Sequence, residues 1–270
     1  EFEWIDSRDS NNIKKHLRPN TKLVHVETPT NPLLELCDLQ ETSKICKEAG
    51  VLLSVDNTFM SPYGQRPLEY GVDIVMQSST KSLSGHSDIL GGVLTTNNDD
   101  LGDRIRFMLK ATGGVPSPFD NWILLRSVKT LSLRYQKSSE NALKLAQWLS
   151  TDYDLKRVIY PGLDSHPQFE IAKKQQFTPN GNNIFGNMIS IDVGKIDIRD
   201  KFLEKLKVIT LAESLGGVES LCCVPYDMTH AAVPVENKIK MGITETLIRL
   251  SIGIEDFEDL KGDLQNALAK

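Results

Sequence analysis

Apolar and polar positions fall into short alternating blocks along the first half of the chain. Leu23-Val-His-Val-Glu27 is an apolar-rich run that stops at Thr28-Pro-Thr-Asn-Pro32, where two prolines forbid continued ladder pairing, and it reads as a strand. Asp38 then stands at the cap of a helix: Glu41 follows as in a capping box, and Leu39, Thr42, Ile45, Cys46 and Ala49 share one face before Gly50. Val51-Leu-Leu-Ser-Val55 is continuously apolar, the pattern of a strand covered on both faces, and it ends at Asp56-Asn57. Strand, helix and strand make a βαβ unit. Further strands are predicted from Asp73 to Gln77 and from Gly91 to Thr96. The alternation predicts an α/β fold, with a mostly parallel sheet and helices on its faces.

From Ser117-Pro118, a cap followed by a first-turn proline, one helical pattern runs through Trp122, Leu125, Val128, Leu131 and Tyr135 to Leu149. It predicts a spine between two lobes. After Tyr160-Pro-Gly162 the pattern changes. Met188 to Val193 and Leu247 to Ile252 read as strands, Ile198 to Leu206 and Asp256 to Ala269 as helices, and Phe177 to Asn183 as a polar loop. The chain therefore divides into an α/β domain over 1–134 and a smaller C-terminal α+β domain over 135–270.

A chain of 270 residues, 40% hydrophobic and 25% charged, can bury a sizeable core. Its formal net charge of −5 offers no basic patch for nucleic acid or for an anionic membrane. No apolar run is long enough to span a bilayer, and the first residues lack the pattern of a signal peptide. Cys37, Cys46, Cys222 and Cys223 suit neither a disulfide framework nor a metal-ligand spacing, so the expected setting is the reducing cytoplasm, with no metal.

Candidate chemistry collects where the strands end. In open α/β sheets ligands sit outside the carboxyl ends of the strands, and three ends here deliver polar residues: Thr28 to Asn31, Asp56-Asn57, and Ser78 to Lys81. Ser78-x-x-Lys81 also matches the nucleophile motif of serine β-lactamases, but the companion Ser-Asp-Asn and Lys-Thr-Gly motifs are missing. Pyridoxal phosphate fits better. It needs a lysine for a Schiff base, an acid for its pyridinium nitrogen and donors for its phosphate. Lys81, Asp56, and the hydroxyls of Ser78 and Thr80 would supply these, while Gly85 lets the chain turn away.

Seven ordered motifs carry a resemblance. Glu27-Thr-Pro-Thr-Asn-Pro32, Val55-Asp-Asn-Thr-Phe59, Ser78-Ser-Thr-Lys-Ser-Leu-Ser-Gly-His-Ser-Asp88, Gly114-Val-Pro-Ser-Pro-Phe-Asp120, Tyr160-Pro-Gly-Leu-Asp-Ser-His-Pro167, Leu211-Ala-Glu-Ser-Leu-Gly-Gly217 and Thr246-Leu-Ile-Arg-Leu-Ser251 resemble the transsulfuration enzymes of cysteine and methionine metabolism. The resemblance implies an aspartate-aminotransferase-like (fold type I) architecture, pyridoxal phosphate as cofactor, an amino-acid substrate, and a homotetramer built as a dimer of dimers. It implies Lys81 as the Schiff-base lysine and Asp56 as the pyridinium partner. Ser78 and Thr80 become phosphate ligands, and Asn31, Glu213, Ser214 and Arg249 bind substrate. Arg249 also has an independent rationale, since a guanidinium fork suits an amino-acid carboxylate.

The expected reaction is γ-elimination from cystathionine to cysteine, 2-oxobutyrate and ammonia. The alternatives are γ-synthesis, β-elimination, methionine γ-elimination, sulfhydrylation of an acylhomoserine, or a non-catalytic chain that assembles with a partner. Family members also carry an N-terminal region without counterpart here, which the resemblance expects to complete the site.

Overall fold

Val24 and Val26, Leu53 and Val55, and Val75 alternate along neighbouring strands, so one face of the first sheet is apolar and must be covered. In the computed structural model, which describes residues 1–269, the cover is two helices that contribute Ile13, Leu39, Ile45 and Cys46. The elements in order are α1 (Ser10–His16), β1 (Leu23–Glu27), α2 (Leu39–Glu48), β2 (Leu52–Asp56), the single turn α3 (Ser61–Gly64), β3 (Ile74–Ser78) and β4 (Gly92–Thr95). The sheet runs β1-β2-β3-β4, parallel except for the last pair. Asp38 caps α2 by accepting from the Glu41 N–H at 3.1 Å. The other face of this sheet is more open: β2 is buried from Leu53 to Val55, but Leu23, His25 and all of β4 are exposed.

Beyond β4 come α4 (Asp99–Thr112), α5 (Pro118–Ser127) and α6 (Leu131–Asp152). The single helix expected from Ser117 to Leu149 is broken in the structure. Thr130 leaves the helical conformation at φ −109°, ψ 6°, and the local groups are bonded elsewhere. Arg134 donates to the Ser127 carbonyl at 2.9 Å and to the Thr130 hydroxyl at 3.1 Å, so side chain replaces backbone at the joint.

The second half contains β5 (Arg157–Ile159), α7 (Phe169–Gln175), β6 (Met188–Asp192), α8 (Ile196–Lys205), β7 (Thr210–Leu211), β8 (Leu221–Cys223), α9 (Val235–Met241), β9 (Leu247–Ser251) and α10 (Phe257–Leu268). Its sheet runs β5-β6-β9-β8-β7, with β9 at the centre. Ala142, Leu145 and Leu149 of α6 pack with Ile189, Ile191, Ile248, Leu250, Phe202, Leu260 and Leu264. The two sheets lie on either side of residues 134/135, a division that falls inside α6.

All four cysteines are buried and free, and burial pushes the Cys37 and Cys46 thiols up to about 11, away from reactivity. Among the described residues, no helix is long and apolar enough to cross a membrane, and no cluster of His, Cys, Asp and Glu could hold a metal.

Asp263 on α10 joins that helix to the segment after α8, accepting from the backbone N–H groups of Lys207 (2.8 Å), Val208 (2.9 Å) and Ile209 (2.9 Å). Removing the carboxylate orphans all three donors. Asp263→Ala should therefore lose roughly 3 kcal/mol of stability, read as a lower urea midpoint with an unchanged slope.

Candidate active site

Because β1, β2 and β3 are parallel, their carboxyl ends open at one edge. Glu27 and Asp56 are register partners there, and Asp56 pairs onward with Met76. Thr58 staples the edge: its N–H donates to Asp56 Oδ1 at 2.9 Å, and its hydroxyl accepts from the Ser78 N–H at 2.9 Å. The second Asp56 oxygen and the Ser78 hydroxyl have no recorded partner among the described residues.

Lys81 follows β3 in a wide turn over Ser79–Leu83, in which its own φ of −92° and ψ of −132° depart from helical values. The turn is closed by the Ser84 N–H on the Ser79 carbonyl (3.1 Å) and the Gly85 N–H on the Lys81 carbonyl (2.8 Å). No hydrogen bond or ion pair holds the Lys81 amine among the described residues. Burial, and then the nearby Arg249 charge, lower its pKa, which favours the neutral amine.

Two neighbours fix the turn. Arg134 of α6 donates to the carbonyls of Ser82 (2.9 Å) and Leu83 (3.2 Å). From the other half, the loop before β8 lays Gly216 against it. That residue has φ +76°, and a Cβ there would stand 2.8 Å from the Ser82 nitrogen and 3.4 Å from Lys81 Cβ. Its N–H is held by the Ser251 hydroxyl at 2.8 Å, so only glycine meets both the dihedral and the space.

Arg249 lies at the centre of β9 and is only 2% exposed. Nη1 donates to Asn31 Oδ1 at 3.0 Å, and Nη2 donates to the carbonyls of Glu213 (2.6 Å) and Ser214 (3.2 Å). Nε is buried without a partner. Burial lowers the guanidinium pKa, while the Cys223, Glu213 and Glu27 groups pull it back up. With neutral acceptors on both terminal nitrogens and Nε unpartnered, the guanidinium keeps the capacity to bind an anion.

The expected residues thus gather in two groups. Asp56, Ser78, Thr80 and Lys81 surround the ends of β2 and β3, while Asn31, Ser214 and Arg249 are bonded together. Glu213 joins the second group through its backbone, and it is exposed. The Thr80 hydroxyl is turned to the Gly91 backbone, accepting from its N–H at 3.0 Å and donating to its carbonyl at 3.3 Å. Of the two hydroxyls expected on a phosphate, that of Ser78 is the one without a protein partner.

Three further residues escaped the sequence reading. Thr58 stands two places after Asp56, the His230 ring reaches the Asn31 backbone and the Thr229 hydroxyl, and Glu27 is the register partner of Asp56. The offset of Thr58 and the strand-end position of Glu27 were signals within the motifs; His230 had none.

A free lysine amine, an open carboxylate oxygen, a serine hydroxyl and an unpartnered buried guanidinium nitrogen suit an aldehyde, a ring nitrogen, a phosphate and a carboxylate respectively. The residues present fit pyridoxal phosphate and an amino acid. The family model described as Cys/Met metabolism PLP-dependent enzyme matches residues 1–269. The chain belongs to this family.

Among curated members, cystathionine γ-lyase of Bacillus subtilis is 48% identical over 268 residues, covering 99% of this chain and 69% of the relative. Cystathionine β-lyase of Coxiella burnetii is 46% identical, over 99% of this chain and 68% of the relative. The solved structure of cystathionine γ-lyase from Lactobacillus plantarum complexed with L-serine superposes with a TM-score of 0.94 at 41% identity, over 98% of this chain and 68% of that one. The chain is thus a Cys/Met-metabolism lyase of fold type I, in a family whose enzymes depend on pyridoxal phosphate.

Gly216→Ala tests how the halves of this family site depend on each other. An αL alanine is strained, and its Cβ would push the loop off the Lys81 turn. Titration of the visible cofactor band should show about tenfold weaker binding, as expected for strain above 1 kcal/mol.

Proposed function

We propose that this chain catalyses γ-elimination from cystathionine, releasing cysteine, 2-oxobutyrate and ammonia. The observation that carries the reading is the bond from Arg249 Nη2 to the Glu213 carbonyl at 2.6 Å, which sets an exposed carboxylate beside the arginine suited to the substrate carboxylate. Cystathionine has two amino-acid ends. Arg249 and Asn31 would orient the homocysteine-derived end, and Glu213, reaching outward, would receive the ammonium of the cysteine-derived end.

Bound pyridoxal phosphate supplies an electron sink for charge developing at the substrate Cα. Asp56 is suited to hold a proton at the ring nitrogen, and Ser78 to donate to the phosphate. Lys81, its amine biased toward the neutral form by burial and by Arg249, could take the proton from Cα, hand it on to C4′ of the cofactor and, neutral again, take one from Cβ. Loss of the γ-sulfur as cysteine leaves a four-carbon unit that water hydrolyses to 2-oxobutyrate and ammonia.

The homotetramer and the cytoplasmic setting belong to the same proposal, and rest on the motifs and on cysteine usage. A second reading, β-elimination, is favoured by the relatives named cystathionine β-lyase, at 46% and 45% identity.

Product analysis with cystathionine should give cysteine and 2-oxobutyrate; homocysteine and pyruvate as main products would establish the β reading instead. Glu213→Ala should raise KM for cystathionine about tenfold, the worth of one exposed charge-assisted bond, with little change for substrates lacking a distal ammonium. Arg249→Lys should raise KM for every amino-acid substrate, because the planar fork is lost. A lowered Lys81 pKa also means that the neutral, proton-accepting amine increases as pH rises, so kcat should climb from acid toward neutral pH.

A further inference from the structure

Glu27 has no part in the chemistry above, yet it sits between the groups that do. It ends β1 as the register partner of Asp56, with both residues on the same face of the sheet. Its Oε2 accepts from the Asn31 N–H at 3.3 Å, and the Asn31 side chain in turn holds Arg249 Nη1 at 3.0 Å. No ion pair neutralises it among the described residues. We propose that Glu27 is a positioning residue whose carboxyl, held by the Asn31 loop between Asp56 and Arg249, sets the charge these two present to cofactor and substrate. The inference rests on the reading of Arg249 as the carboxylate-binding residue and Asp56 as the ring-nitrogen partner.

Two adjacent half-buried carboxylates do not both ionise freely. Burial pushes Glu27 up to about 7, the Asn31 N–H pulls against that shift, the Asp56 charge adds to it, and Arg249 opposes it. Below about pH 7 Glu27 therefore carries a proton and places no second negative charge beside Asp56. The neutral carboxyl also leaves the Arg249 charge unspent. As pH rises through about 7, Glu27 ionises and places a negative charge one hydrogen-bonded residue from Arg249, where it opposes an incoming carboxylate.

The titratable and charged groups facing it are Asp56 from β2, Arg249 from β9, His25 two residues back on its own strand face, and His230 across Asn31. Lys81, which also feels Arg249, lies beyond them. Burial, against the opposing Asn31 backbone bond, lowers the His230 pKa.

The test is L-serine binding to the holoenzyme, read from the visible cofactor band between pH 6 and 8.5, for wild type, Glu27→Gln, Glu27→Asp and Arg249→Lys. Titration of the ligand amine and of Lys81 is common to wild type and the Glu27 variants, so the difference between their profiles isolates Glu27. Relative to Glu27→Gln, wild type should lose about fivefold more affinity from pH 6 to 8, the scale of one partly screened charge. Glu27→Asp should keep a titrating step, which shows that the carboxyl and not the strand end is responsible.

Identical profiles for wild type and Glu27→Gln, with binding weakened in Arg249→Lys, would overturn the inference alone. Unchanged binding in Arg249→Lys would overturn the reading of Arg249 and the inference with it. Should Glu27→Gln not fold, Glu27→Ala takes its place as the variant without a carboxyl, and a pH profile identical to that of wild type would overturn the inference.

Discussion

A guanidinium at the centre of a five-stranded sheet, 2% exposed and with no carboxylate bonded to it, is costly to bury. The chain meets that cost with acceptors from two distant segments. Asn31 comes from the loop after β1, and the Glu213 and Ser214 carbonyls come from the loop after β7. Neither loop can move without orphaning part of Arg249. The same bonds carry the second sheet onto the first, since the Glu213 loop continues into Gly216, which rests on the Lys81 turn.

Much of the first sheet could be read from its sequence, because parallel pairing inside βαβ units joins neighbours in the chain. Leu23–Glu27 is a strand with the expected bounds, and the strand expected at 51–55 lies one residue later, where Asp56 still pairs with Glu27 and Met76. The break between α5 and α6 could not be read: an apolar repeat of 3.6 residues continues through it, and the break depends on Arg134 reaching back to Ser127 and Thr130. The order of the second sheet was also hidden, since β6 pairs with β9 across a long stretch of intervening chain that periodicity does not sense.

The same division runs through the site. Asp56, Ser78, Thr80 and Lys81 lie together as expected, because all four stand at the ends of two neighbouring strands. The turn of the Thr80 hydroxyl to Gly91, the Thr58 staple and the proximity of His230 to Asn31 arise from packing between segments, so no local pattern announces them. Arg134 shows how such packing serves the site. Its buried charge is bonded only to carbonyls and a hydroxyl, and two of those carbonyls follow Lys81 directly. The joint in the helix and the shape of the lysine turn are therefore one feature.

We propose that the ends of β2 and β3, closed over by the Arg249 loop, form one pyridoxal phosphate site around Lys81. Borohydride reduction of the cofactor-loaded protein followed by peptide mapping tests it most directly. A single phosphopyridoxyl label, on Lys81, is expected, with the visible band lost in proportion. A label on any other lysine, or a visible band that survives reduction with Lys81 unmodified, would contradict it.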